Sequence, residues 1–354
     1  MAKKTPAKKI RISKLKLKNF KAFDNFEIDF PKPVMDDEPD IIVMGSKNGI
    51  GKTSILEACS LLFIASIVGH HFHIRQGYDL PLDIFDLLIR ADKSQAEIKG
   101  VFDVGAKVAR PSITMSRNGA LDIKDSKLLK SNIKRMQIWE AEEMPERLMG
   151  SLTGMDIEPF VFPPLMYFHS YRKIQEGSPE LGMMFEGKRA LSRNRYRERD
   201  FPISSFKLEI LRLMLGRADL FEELEYEDAE SILAKLNNIV DTYAGGKITK
   251  LLSSADSTVD FRIMPTGGES SFSFDGLSSG QKEIISTLFL IWYTLRDKPG
   301  IVLIDEPELH LNSEWHRSFI KQLHKLAPDN QYIIATHSEE IFASVDKDRR
   351  VILD

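Results

Sequence analysis

A glycine-rich segment that ends in Lys52 and Thr53 is the first part of the sequence that could do chemistry. It reads Gly45-Ser46-Lys47-Asn48-Gly49-Ile50-Gly51-Lys52-Thr53 and lies between an apolar run, residues 41–44, and a helical pattern. Glycines let backbone N–H groups converge on phosphate oxygens, and the start of the following helix adds a favourable dipole. We expect Lys52 to reach the β- and γ-phosphates and Thr53 to bind Mg²⁺. The predicted ATP-binding residues are Asn48, Gly49, Gly51, Lys52, Thr53 and Ser54.

One position departs from the strict phosphate-loop pattern. The pattern places a glycine where this sequence has Ser46, and Gly45 lies just ahead of it. A glycine-rich turn without a ligand is the alternative interpretation. The strand and the helix predicted on either side favour the nucleotide site.

Two adjacent acids, Asp305 and Glu306, follow the apolar residues 301–304. An acid at the C-terminal end of a buried strand lies where ligands bind in parallel α/β sheets. We expect Asp305 to bind Mg²⁺, directly or through water, and Glu306 to polarise the attacking water as the general base. Adjacent acids can also simply begin a helix, because carboxylates are favourable there. The phosphate loop favours the catalytic interpretation.

His337 follows another apolar segment, residues 332–335. A histidine at a strand end can hydrogen-bond the γ-phosphate or the attacking water, and we assign His337 that role, with Lys52 and Glu306 as its catalytic partners. The other histidines are interpreted as ordinary surface or core residues. His70, His71 and His73 are clustered, but no cysteine or paired carboxylate around them argues for a metal site.

A second loop, Leu277-Ser278-Ser279-Gly280-Gln281-Lys282, is rich in serine and glycine. Alone, such a run is ordinary loop composition. Here it lies downstream of the phosphate loop and shortly before the strand that ends in Asp305. This placement indicates a γ-phosphate that two copies of the protein share, and therefore dimerisation driven by ATP.

Taken in the order of the chain, the four motifs resemble those of ABC-type ATPases. Residues 48–53 resemble the Walker A motif, 277–281 the signature, 304–311 the Walker B motif and D-loop, and 335–338 the switch-histidine motif. Leu17-Lys18-Asn19-Phe20-Lys21-Ala22-Phe23 is similar to the opening of the SMC/RecF branch. Ile304-Asp305-Glu306-Pro307-Glu308-Leu309-His310-Leu311 resembles prokaryotic ATPases of the overcoming-lysogenization-defect kind and their relatives in antiphage defence, including PARIS- and Septu-like subunits. The match of residues 170–270 is weak.

The resemblance implies an α/β fold: an ABC-type P-loop ATPase head with a mixed central sheet, antiparallel N-terminal strands and a helical insertion. It also implies a head-to-tail dimer in which Ser278, Ser279 and Gly280 of one copy contact the γ-phosphate bound by Lys52 of the other. The glutamine-loop residue stays open between Gln137 and Gln175.

The elements that must position these residues can be predicted from apolar periodicity. Alternation over residues 10–17 and 26–30 predicts a two- or three-stranded antiparallel start, and residues 53–67 predict a helix with one buried face. Further predictions are strands at 165–168 and 271–274 and a helix from Lys282. We predict a basic tail at 1–9, an N-terminal lobe at 10–169, a basic and helical insertion at 170–245, and a C-terminal lobe at 246–354.

The composition is that of an ordinary globular protein. The chain has 354 residues, a formal net charge of −3 and one cysteine, Cys59, so no intramolecular disulfide can form. Its longest apolar run, residues 61–68, is too short to span a bilayer. We therefore expect a cytoplasmic protein that has no membrane contact, with Cys59 as a small buried residue.

The long interval between Lys52 and Ser278 argues against a membrane-transporter subunit, and the sequence shows no sustained heptads for the coiled coil of SMC proteins. The chain ends soon after His337, which leaves no room for a Toprim domain. We therefore expect the ATPase subunit of a multi-component antiphage system with a separate effector, such as a nuclease or Toprim protein. A RecF-like DNA repair ATPase that clamps DNA, and an assembly scaffold with little turnover, are the alternatives.

A basic run is the one sequence hint of contact with DNA. Its lysine and arginine residues would make binding strongly salt-dependent. A solvated loop or a docking surface for an acidic partner explains the run equally well. The residues concerned are Lys188, Arg189, Arg193, Arg195, Arg197 and Arg199.

Overall fold

The computed structural model describes residues 9–33, 35, 38–45, 51–69, 84–132, 138–173, 204–217, 229–253 and 258–353. They divide into two compact units. The first lies within Met1–Arg172, Thr294–Leu309 and Ser313–Asp354, and the second within Lys173–Tyr293 and His310–Asn312. The domain boundaries predicted from the sequence stay a prediction.

The described residues contain the following strands and helices. The strands are β1 (Ile10–Phe20), β2 (Phe23–Asp29), β3 (Ile41–Gly45), β4 (Gln95–Val104), β5 (Lys107–Ala109), β6 (Ser112–Ser116), β7 (Leu121–Lys124), β8 (Phe160–Phe162), β9 (Leu165–Phe168), β10 (Gly246–Ser253), β11 (Val259–Pro265), β12 (Phe272–Ser273), β13 (Ile301–Asp305), β14 (Gln331–Thr336) and β15 (Arg350–Ile352). The α-helices are α1 (Lys52–Val68), α2 (Ile84–Leu88), α3 (Lys127–Asn132), α4 (Ile138–Thr153), α5 (Ser205–Arg217), α6 (Ala229–Ala244), α7 (Ser279–Leu295), α8 (Ser313–Leu326) and α9 (Glu339–Ala343).

The first sheet of the first unit is antiparallel, with strand order β2-β1-β4-β6-β7 and β5 paired to β4. Strand β4 alternates between buried and more accessible side chains, because one face of the sheet packs on the core. The pairing of β1 shifts between Ile12 and Lys14. There Gln331 completes the hydrogen bonds of Ile12, since its amide contacts both the backbone N and O atoms at 2.8 Å. The predicted antiparallel start is confirmed.

The second sheet of the first unit has the order β15-β3-β14-β13-β9-β8. Its neighbours are parallel except for the antiparallel pair β8 and β9. Strands β9, β13 and β14 are buried throughout, as expected for apolar strands covered on both faces. The sheet is therefore mixed, as predicted, and the C-terminal ends of its parallel strands meet at one edge.

Helix α1 contacts strands of both sheets. Nearly all of its residues are buried, so the prediction of a single buried face was wrong: a helix between two sheets has no solvent-facing side. The burial includes Glu57, whose pKa is raised by loss of solvent and whose carboxylate is paired with Lys21. Cys59 is buried, as predicted, and its burial raises the thiol pKa.

The second unit contains a three-stranded antiparallel sheet of β10, β11 and β12, with helices α5 and α6. Helix α6 buries Ile232, Leu236 and Val240 at helical spacing. The strand expected at 271–274 is limited to Phe272–Ser273, because a 3-10 turn, Phe274–Gly276, follows it at once. Helix α7 begins at Ser279, three residues before the predicted Lys282.

No described helix is long and apolar enough to cross a membrane.

Candidate nucleotide site

The edge of the parallel sheet brings together five residues from three segments that are far apart in the sequence. The Thr53 hydroxyl donates to Oδ2 of Asp305 at 2.9 Å. Nζ of Lys52 lies 3.4 Å from Nδ1 of His337, and Nε2 of His337 lies 3.2 Å from Oε1 of Glu306. The strand order explains the cluster: β3 leads towards α1, β13 ends in Asp305, and β14 between them ends just before His337.

The start of α1 requires a glycine. Gly51 has a φ of 97°, in the left-handed region, and a Cβ atom there would lie 2.6 Å from the Phe23 ring. A larger residue would therefore be strained and would clash. Ser54 follows in the first turn of α1, and its side chain is buried. Asn48 and Gly49 lie outside the described residues.

Asp305 combines burial with an unused acceptor. Burial raises its pKa to about 7, Glu306 acts in the same direction, and the hydrogen bond from Thr53 opposes them. Its Oδ1 atom is buried without a hydrogen-bond partner in the described part of the chain. Buried polar atoms are usually paired, and Mg²⁺ prefers oxygen ligands. The carboxylate of Asp305 and the hydroxyl of Thr53 therefore fit a hard divalent cation.

Lys52, His337 and Glu306 form a hydrogen-bonded chain with a defined direction. An ammonium group can only donate, so Nδ1 of His337 accepts from Lys52 and Nε2 carries the proton that Glu306 accepts. Partial burial lowers the pKa of Lys52, while the carboxylates of Glu306, Asp305 and Glu308 oppose that change. Lys52 and Glu306 thus hold the His337 ring by hydrogen bonds at both of its nitrogens.

The peptide that joins Asp305 to Glu306 is fixed on both sides. Glu306 has a φ of 44°, which is uncommon for a residue with a side chain. Its N–H donates to the Ala335 carbonyl at 2.8 Å, and Nη1 of Arg172 donates to the Asp305 carbonyl at 2.8 Å. Arg172 is only 2% exposed and also donates to the His169 carbonyl at the end of β9. Sequence reasoning missed Arg172; its position just after a predicted strand was the available signal.

Glu308 is a second residue that the sequence analysis did not assign. Its Oε2 atom accepts from the Thr336 hydroxyl at 2.7 Å, and its Oε1 atom accepts from the backbone N–H of His337. The Thr336 hydroxyl in turn accepts from the Ser338 N–H at 3.0 Å. Glu308 therefore joins the turn after β13 to the end of β14.

The serine-glycine loop lies in the second unit, where it begins α7. The backbone N–H of Ser278 donates to Oε1 of Gln281 at 3.0 Å, and the N–H of Gln281 is 3.3 Å from the Ser278 hydroxyl. This reciprocal pattern is a capping box. Gln281 also donates to the Tyr243 carbonyl at 2.9 Å, which ties the helix start to α6. Ser279 and Gly280 are the first residues of α7, where backbone N–H groups can receive an anion.

A buried lysine, Lys207, contacts the turn that precedes this loop. Lys207 of α5 is 1% exposed, its ammonium is paired with the carboxylate of Asp275, and burial lowers its pKa. Nζ of Lys282 lies 3.3 Å from the Asp275 carbonyl. The ring centroid of Phe206 is 5.5 Å from that of Phe274. The turn before Ser278 is thus held by charge and by apolar packing.

Several residues singled out in the sequence cannot be placed. The glutamine-loop candidates Gln137 and Gln175, the basic residues between 188 and 199, and the cluster His70, His71 and His73 lie outside the described residues. Within the described residues, no group of three or more potential metal-binding side chains is present.

Among the proteins similar to the chain are three relatives and two solved structures. It is 21% identical to the Retron Vc95 probable ATPase of Vibrio cholerae serotype O1 biovar El Tor, over 98% of this chain and 74% of that protein. It is 24% identical to the Retron Ec83 probable ATPase of Escherichia coli, over 98% and 72% of the two chains. It is 23% identical to the Septu protein PtuA of Bacillus mycoides strain KBAB4, over 92% of this chain but 38% of that protein.

The solved structures are two Smc heads. One is bound to the C-winged helix domain of ScpA, with a TM-score of 0.52 and 15% identity. The other has an extended coiled coil and is bound to the C-terminal domain of ScpA derived from Pyrococcus furiosus, with a TM-score of 0.51 and 14% identity. Both cover 95% of this chain and 92% of the other. At this identity they show the fold alone, and they confirm the predicted class.

The family follows from a match to a family model. Residues 11–342 match the AAA ATPase domain family, and this match includes both the phosphate-loop helix and His337. Together with the two retron relatives named as probable ATPases, this match confirms the prediction of an ATP-hydrolysing enzyme. The chain is a member of the AAA ATPase domain family.

Proposed function

We propose that this ATPase hydrolyses ATP at a site shared by two copies and serves as the ATPase subunit of a multi-component antiphage system. The observation that carries the catalytic part is the cluster at the sheet edge. Lys52, His337 and Glu306 are hydrogen-bonded in series there, and Thr53 is bonded to Asp305. The remaining parts of the proposal rest on the signature loop and on the named relatives.

The residues of the cluster have separate roles. Lys52 binds the phosphates through its charge, and Thr53 and Asp305 hold Mg²⁺ through oxygen atoms. The bound cation supplies neutralisation of phosphate charge. Glu306 accepts a proton from the attacking water, and His337 orients Glu306 by the hydrogen bond from Nε2. Asn48, Gly49 and Gly51 complete the phosphate loop in this proposal, with Ser54 following in α1.

The serine-glycine loop, residues 277–282, supports a site shared by two copies. Ser278 caps a helix of 17 residues, so the positive end of the helix dipole lies at Ser279 and Gly280. Such a helix start suits a phosphate group. We propose that it contacts the γ-phosphate bound by Lys52 of another copy, in a head-to-tail dimer, and that the dimer exists only while ATP is bound.

The defence role rests on resemblance. Two relatives are named for retrons and one for the Septu system, which agrees with the antiphage type that the Glu306-Pro307-Glu308 motif resembles. We propose that ATP-driven dimerisation controls a separate effector, such as a nuclease or Toprim protein.

Mixing two inactive variants tests the shared site. Lys52→Ala should lose ATP binding, and Ser278→Arg should bind ATP but not hydrolyse it. A mixed dimer has one site with an intact Lys52 from one chain and an intact Ser278 from the other. The mixture should therefore release phosphate while each variant alone does not. A mixture as inactive as its components would contradict a site shared in trans.

The mass of the assemblies that the Glu306→Gln variant forms tests both the dimerisation and the binding of an effector. The variant should bind ATP and hydrolyse it slowly, so ATP should convert it to a dimer or a larger assembly by light scattering. The product of the neighbouring gene, added with and without ATP, should join that assembly. An unchanged mass in every mixture would contradict both the dimerisation and the partnership.

A further inference from the structure

We propose that Glu308 is a positioning residue for ATP hydrolysis, which sets His337 against Glu306. The inference rests on the proposed roles of Glu306 and His337 and adds a residue to that site. Glu308 lies two residues after Glu306, on the 3-10 turn Pro307–His310. Glu308 is not proposed to contact the reacting groups; it acts through the backbone of His337.

Both oxygens of the Glu308 carboxylate are engaged by one short turn. Oε1 accepts from the backbone N–H of His337, and Oε2 accepts from the Thr336 hydroxyl at 2.7 Å. The Ser338 N–H donates to the same hydroxyl at 3.0 Å. A charged acceptor makes stronger hydrogen bonds than a neutral one. The carboxylate therefore holds Thr336 and His337 directly and Ser338 through the Thr336 hydroxyl.

The position of the His337 ring depends on this turn. The ring lies 3.4 Å from Lys52 and 3.2 Å from Glu306, so a shift of its backbone changes both contacts. The backbone of Glu306 is held separately, since its N–H donates to the Ala335 carbonyl at 2.8 Å. Loss of Glu308 should consequently release the histidine ring, and with it the hydrogen bond to the Glu306 side chain, while the Glu306 backbone stays in place.

Two effects of Glu308 must be separated, because its charge also lies near Lys52, whose pKa it helps to keep from falling. Glu308→Gln removes the charge but keeps one acceptor oxygen and offers an amide to the Thr336 hydroxyl. Glu308→Ala removes both the charge and the hydrogen bonds. If Glu308 acts by positioning His337, the kcat of Glu308→Gln should stay close to that of the wild type, whereas the kcat of Glu308→Ala should be much lower.

A double-mutant cycle tests the inference. We would measure kcat, KM and ATP affinity by calorimetry for Glu308→Ala, His337→Ala and the double variant. Misplacing one catalytic group lowers rates by about ten- to a hundredfold. We therefore expect the kcat of Glu308→Ala to be reduced by a factor in that range, with ATP affinity unchanged. If Glu308 acts through His337, the double variant should be no slower than His337→Ala alone. Glu339→Ala, which removes an exposed carboxylate on the same segment, is the matched control.

Additive losses in the double variant, or wild-type kcat in Glu308→Ala, would overturn the inference. If Glu308→Ala does not fold, Thr336→Val takes its place in the cycle, because it removes the hydroxyl that donates to Glu308. Its loss of kcat must likewise vanish in the His337→Ala background. Glu306→Gln is measured beside them. Normal turnover in that variant would overturn the proposed site itself, whereas a slow Glu306→Gln beside a fast Glu308→Ala would overturn only the role of Glu308.

Discussion

The edge of the parallel sheet and the turn before α7 both carry motif residues, but they are held in opposite ways. At the sheet edge, side chains from separate strands contact one another, as in the series Lys52, His337 and Glu306. At the turn, Ser278 and Gln281 mainly satisfy the backbone of their own helix start. The sheet edge is assembled by tertiary topology, whereas the start of α7 is capped by local sequence and its preceding turn is held by Lys207 of α5.

The two regions also differ in what they leave unsatisfied. The sheet edge keeps Oδ1 of Asp305 buried without a partner among the described residues and holds Glu306 at a φ of 44°. Features of this kind cost stability and persist mainly at functional sites. The turn at Ser278 has its helix start capped. We infer that the sheet edge is arranged for chemistry and the turn for placement. Substitutions at the sheet edge should therefore lower the rate with little loss of stability, whereas substitutions at the turn should lower stability as well.

The largest effect should come from Glu306→Gln. Loss of a general base lowers the rate by about a hundred- to ten-thousandfold, while ATP affinity should remain because Lys52 and Thr53 are unchanged. Thermal unfolding should be little altered, since the amide can still accept from His337. Phosphate release and calorimetry on the same sample check both parts. A variant that loses stability in proportion to its rate would break the contrast between the two regions.

An intermediate effect should come from Lys207→Met. The change keeps a long apolar side chain but leaves Asp275, a half-buried carboxylate, without its ammonium partner. We expect a loss of about 1–3 kcal/mol in the free energy of unfolding, with turnover reduced only through the displaced signature loop. Denaturant unfolding measures it.

The double variant Lys207→Met with Asp275→Asn is the matched control for this prediction. It removes the orphaned charge, so it should recover part of the stability that Lys207→Met loses. Unfolding that is unchanged in Lys207→Met would show that the turn does not depend on the buried pair.

Much of the sheet edge could be predicted from the sequence. The apolar strands that precede Asp305 and His337 are short and uninterrupted, and the ends of parallel strands collect at one edge. That rule, together with the phosphate-loop motif that ends in Thr53 and the resemblance to ABC-type ATPases, placed Thr53, Asp305, Glu306 and His337 in one site, and the structure brings these residues together. Strand β9 was predicted at residues 165–168, as observed.

The residues that support the site could not be found in this way. Arg172, Glu308 and Lys207 act through contacts fixed by sheet register and helix packing, and no local pattern specifies which carbonyl or carboxylate each will meet. Burial on all sides of α1 is a similar case, because it depends on two sheets that enclose the helix. The start of α7 was predicted three residues too late, although the sequence carries a signal for it: Ser278 followed by Gln281 three residues later is the pattern of a capping box, which places the helix start before Lys282.

The smallest effect should come from Gln281→Ala, which tests that cap. The alanine removes the acceptor for the Ser278 N–H and the donor to the Tyr243 carbonyl. Loss of a helix cap costs about 1 kcal/mol, so unfolding by denaturant should shift by roughly that amount with ATP affinity unchanged. Ser278→Ala should cost a similar amount of stability, because it removes the other half of the cap. It should slow turnover more than Gln281→Ala, because Ser278, unlike Gln281, is proposed to contact phosphate. Equal rates in the two variants would mean that Ser278 serves only to begin the helix, which would contradict its proposed contact with the γ-phosphate.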